Sequence, residues 1–372
     1  MPENEAKSES EAASYYGDPK QKLIVLFDGT WNDPQDQTNV FLMSQCITPY
    51  DADGIKQRFF YDPGVGTSRF TRLLGGTTGW GLTKNLMQGY AWLSKHYHEG
   101  EQIWIFGFSR GAYTARSLAG LIRKCGVLRT ATPDLLEQAK TLYRNKALSP
   151  NSKECIAFRK AYSDEPKVHF LGVWDTVGAL GAPGTVFSER GIFKWHDTKL
   201  SRSVLSAFHA MALDEHRAAY DTALWTLPVG SEEKRSPDNV EQRWFIGAHA
   251  NVGGGYTDDE LKQIPFKWMA EKAQRKGLEL DLSRMVFDAN AWQTEPRDSY
   301  EEFLKGVYGM FRRFRGKGDD HGRFHRAFGG NKPDELKAVN VSIDGSVWKR
   351  WKAGEYRPKT LVNAAQSPPS QP

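Results

Sequence analysis

Four stretches of the chain are apolar without alternation: residues 22–27 (Lys-Leu-Ile-Val-Leu-Phe), 103–108 (Ile-Trp-Ile-Phe-Gly-Phe), 168–174 (Val-His-Phe-Leu-Gly-Val-Trp) and 243–246 (Arg-Trp-Phe-Ile). A strand that is apolar on both faces is covered on both faces, so these runs predict inner strands of a mostly parallel sheet flanked by helices. A shorter run at 58–61 (Arg-Phe-Phe-Tyr) predicts another strand. Elsewhere the pattern turns helical. Ala112, Ala115 and Ala119 recur along a helix that runs to about residue 124, and their small side chains suit close packing on a sheet. Further helices are expected from the glycine cluster 75–81 to about residue 98, over 134–147, and over 201–220, the last carrying His209 and His216. Pro265 starts and Gly277 stops one more, with Phe266, Met269, Ala270 and Ala273 on one face. The glycine cluster lacks the Gly-Lys-Ser/Thr ending of a phosphate loop and reads as packing backbone.

At 372 residues, with 12 tryptophans and 20 phenylalanines, the chain has enough apolar area for one large α/β domain with loop and helical insertions. That domain is expected over residues 21–361. The polar stretch 1–20 reads as a disordered leader and the Pro/Ser/Gln-rich stretch 362–372 as a frayed tail. A net charge of +5 with 26% charged residues describes a mild basic bias, compatible with weak peripheral attraction to anionic membrane surfaces. No basic repeat or aromatic RNA-binding signature accompanies it, so nucleic acid is not the expected partner. Cys46, Cys125 and Cys155 are odd in number and widely spaced, which argues for a reduced compartment and against a disulfide framework. The leader has no apolar core of a signal peptide, so the expected location is the cytoplasm, or outside by a route that cleaves no signal. The patterning leaves the oligomeric state open.

The chemistry centres on residues 103–112, which read as strand, sharp turn and helix. Gly107 and Gly111 frame Ser109 at the G-x-S-x-G spacing of a nucleophile elbow, where a strained backbone leaves no room for neighbouring Cβ atoms. A serine hydroxyl must pass its proton to an imidazole, and the imidazole needs a carboxylate to fix its tautomer. In α/β-hydrolases the order along the chain is Ser, acid, His. Asp175 and His249 satisfy it, each following a predicted strand and therefore at the same rim as Ser109. Asp214 is the rival acid, and His209 and His216 are the rival bases. The oxyanion donors expected are the N–H of Arg110 and a second N–H from Gly29 or Thr30 in the loop after the first strand.

Five segments occur in order: Leu26-Phe27-Asp28-Gly29-Thr30-Trp31-Asn32, Tyr61-Asp62-Pro63-Gly64-Val65-Gly66-Thr67, Gly107-Phe108-Ser109-Arg110-Gly111-Ala112-Tyr113, Gly172-Val173-Trp174-Asp175-Thr176-Val177-Gly178 and His249-Ala250-Asn251-Val252-Gly253-Gly254-Gly255-Tyr256. Together they resemble the uncharacterised α/β-hydrolase family that includes the catalytic domain of type VI secretion phospholipase effectors. The resemblance runs from about residue 22 to 361. It implies an α/β-hydrolase-like fold, Ser109, Asp175 and His249 as the triad, and hydrolysis of lipid esters, especially phospholipids, without a cofactor.

Other readings stay beside this one. Residues 26–30 resemble the phosphatase loop Asp-x-Asp-Gly-Thr, but Leu26 stands where its nucleophilic aspartate would be. A catalytically inactive hydrolase-fold module that binds lipid or protein is the stronger rival, because spacing alone does not assemble a triad. Asp258, Asp259 and Glu260 lack the spacing of a metal site and read as a solvated turn. Phe187, Phe193 and Trp195 lie in the glycine-rich stretch 181–200, either as a substrate-covering loop or as an excursion tucked on the core. A helix over 300–314 ends in Arg312, Arg313 and Arg315, and is either packed on the domain or laid on a membrane.

Overall fold

In the computed structural model the residues described are 21–29, 37–64, 78–177, 199–256, 258–302 and 323–369. Seven strands form one sheet: β1 (Gln21–Phe27), β2 (Lys56–Asp62), β3 (Gln102–Phe108), β4 (Val168–Trp174), β5 (Val204–Ala212), β6 (Val240–Phe245) and β7 (Val341–Ile343). Their order is β7-β6-β5-β4-β3-β1-β2, and every neighbouring pair is parallel. The fold is α/β-hydrolase-like. The chain builds outward from β1 in both directions, so the loops after β1 and β3 diverge and leave a crevice at the carboxyl ends of the strands.

Both faces of the sheet are covered, as the unbroken apolar runs require. From β1, Leu23, Val25 and Phe27 enter the core beneath α2 (Thr78–His96) and α3 (Arg110–Cys125), while Ile24 and Leu26 enter the opposite core beneath α1 (Asn39–Cys46) and α7 (Gln263–Arg275). Two helices, α4 (Pro133–Arg144) and α5 (Lys153–Tyr162), back the first layer, and the short α6 (His249–Gly253) follows β6. A third apolar cluster, with Met211, Trp244 and Ile246, lies under α8 (Gly345–Ala353).

The strands expected at 22–27, 58–61, 103–108, 168–174 and 243–246 are all present. The helix expected over 201–220 is not. Residues 204–212 form the inner strand β5, hydrogen-bonded to β4 and β6. Ala207, Ala210 and Ala212 are fully buried there, and their small side chains admit helices onto both faces of the sheet. Tertiary packing thus overrides the helical preference of alanine, which is only a fraction of a kcal/mol per residue, or ~0.7 at most. His209 is therefore a strand residue and His216 a loop residue.

The leader 1–20 and most of the glycine cluster lie outside the described residues, as do Thr30, Phe187, Phe193, Trp195 and residues 303–314 of the expected 300–314 helix. Residue 362, where a tail is expected, closes the helical turn Lys359–Val362, and Gln366 N–H donates to Leu361 O at 2.9 Å.

Helix α3 begins hard against the end of β1. A Cβ on Gly111 would collide with the carbonyl oxygens of Phe27 and Asp28, and a Cβ on Gly107 would reach the Gly111 carbonyl oxygen at 2.5 Å. Exchanging glycine for alanine within a helix ordinarily stabilises it; here the clash is with backbone that cannot swing aside. Gly111→Ala is expected to lower unfolding free energy by about 1–3 kcal/mol in urea titration, whereas Gly120→Ala on the same helix, where the nearest atom to a new Cβ lies at 3.6 Å, should not.

Candidate active site

Ser109 follows β3 directly and its backbone sits at φ +60°, ψ −123°, a region that L residues avoid. Its N–H donates to the Trp174 carbonyl at the end of β4 (3.0 Å), and its own carbonyl accepts from Tyr113 N–H (3.2 Å). The residue is thereby fixed from the neighbouring strand and from the helix behind it. Its hydroxyl lies 2.8 Å from His249 Nε2, and His249 Nδ1 lies 2.6 Å from Asp175 Oδ2. These three side chains come from the ends of β3, β4 and β6, so the sheet brings together residues far apart in sequence. All three are buried, and the His249 ring is held between Phe108 (4.7 Å between centroids) and the edge of Tyr220 (5.0 Å).

Asp175 is fully buried and its carboxylate is fully subscribed. Oδ1 accepts from Ala212 N–H (3.0 Å) and Arg326 Nη1 (2.6 Å); Oδ2 accepts from His249 and Arg326 Nη2 (2.9 Å). Burial pushes this carboxyl up, but Arg326 and His249 outweigh it and hold it well below the usual carboxylate range. Burial also pushes the His249 imidazole below its ordinary 6.5, by more than Asp175 restores. Both the burial and the direction of the shift favour the neutral ring, the form that accepts a proton. Beside it, Glu215 Oε2 accepts from Arg217, from Ser299 Oγ (3.0 Å) and from His249 N–H (3.3 Å). Burial raises Glu215 and the Arg217 guanidinium more than compensates, bringing it down to about 2.

The rivals are occupied elsewhere. His209 Nε2 accepts from Thr176 N–H (3.1 Å), and burial takes its imidazole down to about 3. His216 Nδ1 lies 3.1 Å from the Phe324 carbonyl, while Asp214 Oδ2 accepts from Gly247 N–H and Tyr356 OH, each at 2.7 Å. Arg110 opens α3, in the place foreseen for an oxyanion donor. Gly29 N–H donates to Asp28 Oδ1 at 2.6 Å, so this group is not turned to the site. Asp28 itself is held by Thr38 Oγ1 (2.5 Å) and Tyr61 OH (2.7 Å), as a structural carboxylate. Arg326 has no sequence signal, being 151 residues from its partner; only the general need of a buried carboxylate for a countercharge foreshadows it.

A serine, histidine and aspartate hydrogen-bonded in line at the carboxyl rim of an α/β-hydrolase-like sheet define the class of site. The chain belongs to the family described as "T6SS, phospholipase effector Tle1-like, catalytic domain", whose model matches residues 21–272. An uncharacterised protein of Saccharomyces cerevisiae is similar at 28% identity over 232 residues, 55% of this chain and 33% of its own length. Among solved structures, an uncharacterised protein from Pseudomonas aeruginosa is similar at 15% identity and TM-score 0.41, over 84% of this chain and 53% of its own. The Tle1 effector bound to the VgrG spike of the type VI secretion system is similar at 17% identity and TM-score 0.36, over 65% of this chain and 52% of its own. The chain thus spans about a third of that yeast relative and about half of those two solved chains.

The buried charges separate Asp175 from Asp214 without any assay of activity. Asp175→Asn leaves Arg326 uncompensated in a dry site and is expected to cost about 3–5 kcal/mol of stability. Asp214→Asn keeps acceptors for Gly247 and Tyr356 and should cost about 1 kcal/mol. Urea unfolding of the two variants beside the natural chain measures the difference.

Proposed function

We propose that the chain is a serine hydrolase of lipid acyl esters, with Ser109 as nucleophile, His249 as general base and Asp175 as the carboxylate that orients it. The observation that carries this reading is the line of hydrogen bonds from Ser109 Oγ through His249 to Asp175, at 2.8 and 2.6 Å, built on a strained elbow. As Oγ attacks the ester carbonyl, His249 Nε2 takes its proton, and Asp175 supports the imidazolium through Nδ1–H. Collapse of the tetrahedral intermediate expels the alcohol, which takes that proton, and leaves an acyl-serine. Water activated by His249 then attacks the acyl-serine, releasing the fatty acid and restoring the hydroxyl. The developing oxyanion is stabilised by the Arg110 N–H at the positive end of the sixteen-residue α3. The second donor is assigned from sequence alone to Thr30, which follows the engaged Gly29 and lies outside the described residues.

Phospholipids are the proposed substrate class, supported by the family's description as phospholipase effectors. The glycine-rich stretch after Asp175 lies outside the described residues, and its Phe187, Phe193 and Trp195 are assigned to the acyl chain from sequence alone. Fluorophosphonate labelling tests the chemistry: the natural chain should label and Ser109→Ala should not, with ester hydrolysis down on the order of a millionfold. Equal labelling of both, or of neither, sinks the nucleophile and leaves an inactive binding module. For substrate, efficiency on nitrophenyl esters is expected to rise with acyl length, each buried methylene contributing at most about 0.8 kcal/mol. Phe193→Ala with Trp195→Ala should flatten that rise while sparing the shortest ester. Indifference to chain length would remove these aromatics from the site.

A further inference from the structure

Arg326 lies beyond the residues matched by the family model and touches Asp175 with both ends of its guanidinium. It is fully buried, and it is anchored from behind by the Ala212 carbonyl (2.8 Å) and the Tyr220 carbonyl. A serine–histidine–aspartate line does not need a cation at this position. A buried carboxylate can be satisfied by neutral N–H donors, and one cation in contact with it competes directly with the imidazolium for the same negative charge.

Resting on the triad reading above, we propose that Arg326 is a positioning residue for the site: its fork locks the Asp175 carboxylate in the orientation that meets His249 Nδ1, and its charge opposes proton uptake by the Asp175–His249 pair.

The charged and titratable groups around the pair, Arg326 apart, come from the connection after β5, from β5 itself and from α3. Glu215 and Arg217 form a bidentate ion pair of their own on the connection after β5, and so largely cancel. Tyr220 and Asp221 follow them, with Asp221 Oδ2 accepting from Asn331 (2.6 Å). On β5, His209 is turned to Thr176 and Gln242. From α3, Arg116 reaches the Ala223 carbonyl and lies 5.2 Å over the Trp225 ring. At His249 the charges of Glu215 and Arg217 act in opposite directions. Arg326 is the cation in direct contact with the triad acid, so its loss acts on the pair through Asp175. The direction follows from Coulomb's law. Removing a positive charge makes proton uptake by the pair easier, whichever partner carries the proton, and the observed midpoint belongs to the pair.

The experiment compares the natural chain with Arg326→Met and Arg326→Lys. Two readouts are used: the acid limb of kcat/KM on a short nitrophenyl ester, and the titration of the His249 ring by NMR of ¹⁵N-histidine-labelled protein, assigned with His249→Ala. In the natural chain the His249 midpoint is expected below 6.5. Arg326→Met should raise both midpoints by about one pH unit or more, and Arg326→Lys, which keeps the charge but loses the fork, should stay near the natural midpoint with a lower kcat. A merely structural arginine would lower kcat/KM at every pH and leave the midpoint unmoved; that result overturns the proposal. Should Arg326→Met fail to fold, Arg326→Gln, which keeps N–H donors for the carboxylate and removes the charge, takes its place with the same expected rise, and an unmoved midpoint overturns the proposal. Failure of the hydrolase reading shows separately, as absence of fluorophosphonate labelling in the natural chain, while the NMR titration continues to report on Arg326.

Discussion

The Ser109 hydroxyl can point at His249 only while its backbone stays at a positive φ, where an L residue costs about 1–3 kcal/mol. That conformation persists because the surroundings over-determine it. The carbonyl that ends β4 takes the Ser109 N–H, the first turn of α3 takes its carbonyl, and glycine at 107 and 111 lets α3 descend onto the end of β1. Each of these holds depends on the parallel order of the sheet, which places β4 and β1 on either side of β3. The small residues of α3, the two-sided apolar strands and the position of the hydroxyl are therefore one constraint seen at three scales.

Charge balance within the dry rim is the second organising feature. Asp175 with Arg326, and Glu215 with Arg217, are two buried ion pairs sharing one histidine between them. Neither pair is a strong source of stability, since desolvation offsets most of the attraction. Their geometric effect is larger. Arg326 also binds two backbone carbonyls, so the connection after β5 and the segment after residue 323 are tied to the loop that bears the acid.

Much of this was legible in the chain itself, and the reason differs by residue. The strands at 168–174 and 22–27 announce themselves because inner parallel strands are apolar on both faces, and the elbow because close backbone approach admits only glycine. His249 and Asp175 were found by their place after predicted strands, which is a topological argument and needs no contact map. Residues 204–212 misled for a related cause: alanine reads as helix when local preference is weighed alone, and as an inner strand only when two helical layers must fit against it. Arg326 was invisible because nothing local marks an arginine whose partner is 151 residues away. The engaged Gly29 N–H was likewise beyond reach, since it depends on the rotamer of Asp28.

The strand order also sets how far apart in the chain the parts of the site lie. β1 pairs with β3, with Lys22 opposite Gln102, so the serine-bearing turn draws on the first third of the chain, while the carbonyl that takes the Ser109 N–H comes with β4. Asp175 and His249 follow β4 and β6, and Arg326 lies beyond both. Contacts of such separation form slowly, because loop closure must precede the reward. Without Arg326 the Asp175 carboxylate is a buried charge lacking its countercharge. Chemistry is in this sense a property of nearly the whole length of the chain, from the end of β1 to residue 326, and of no single segment of it.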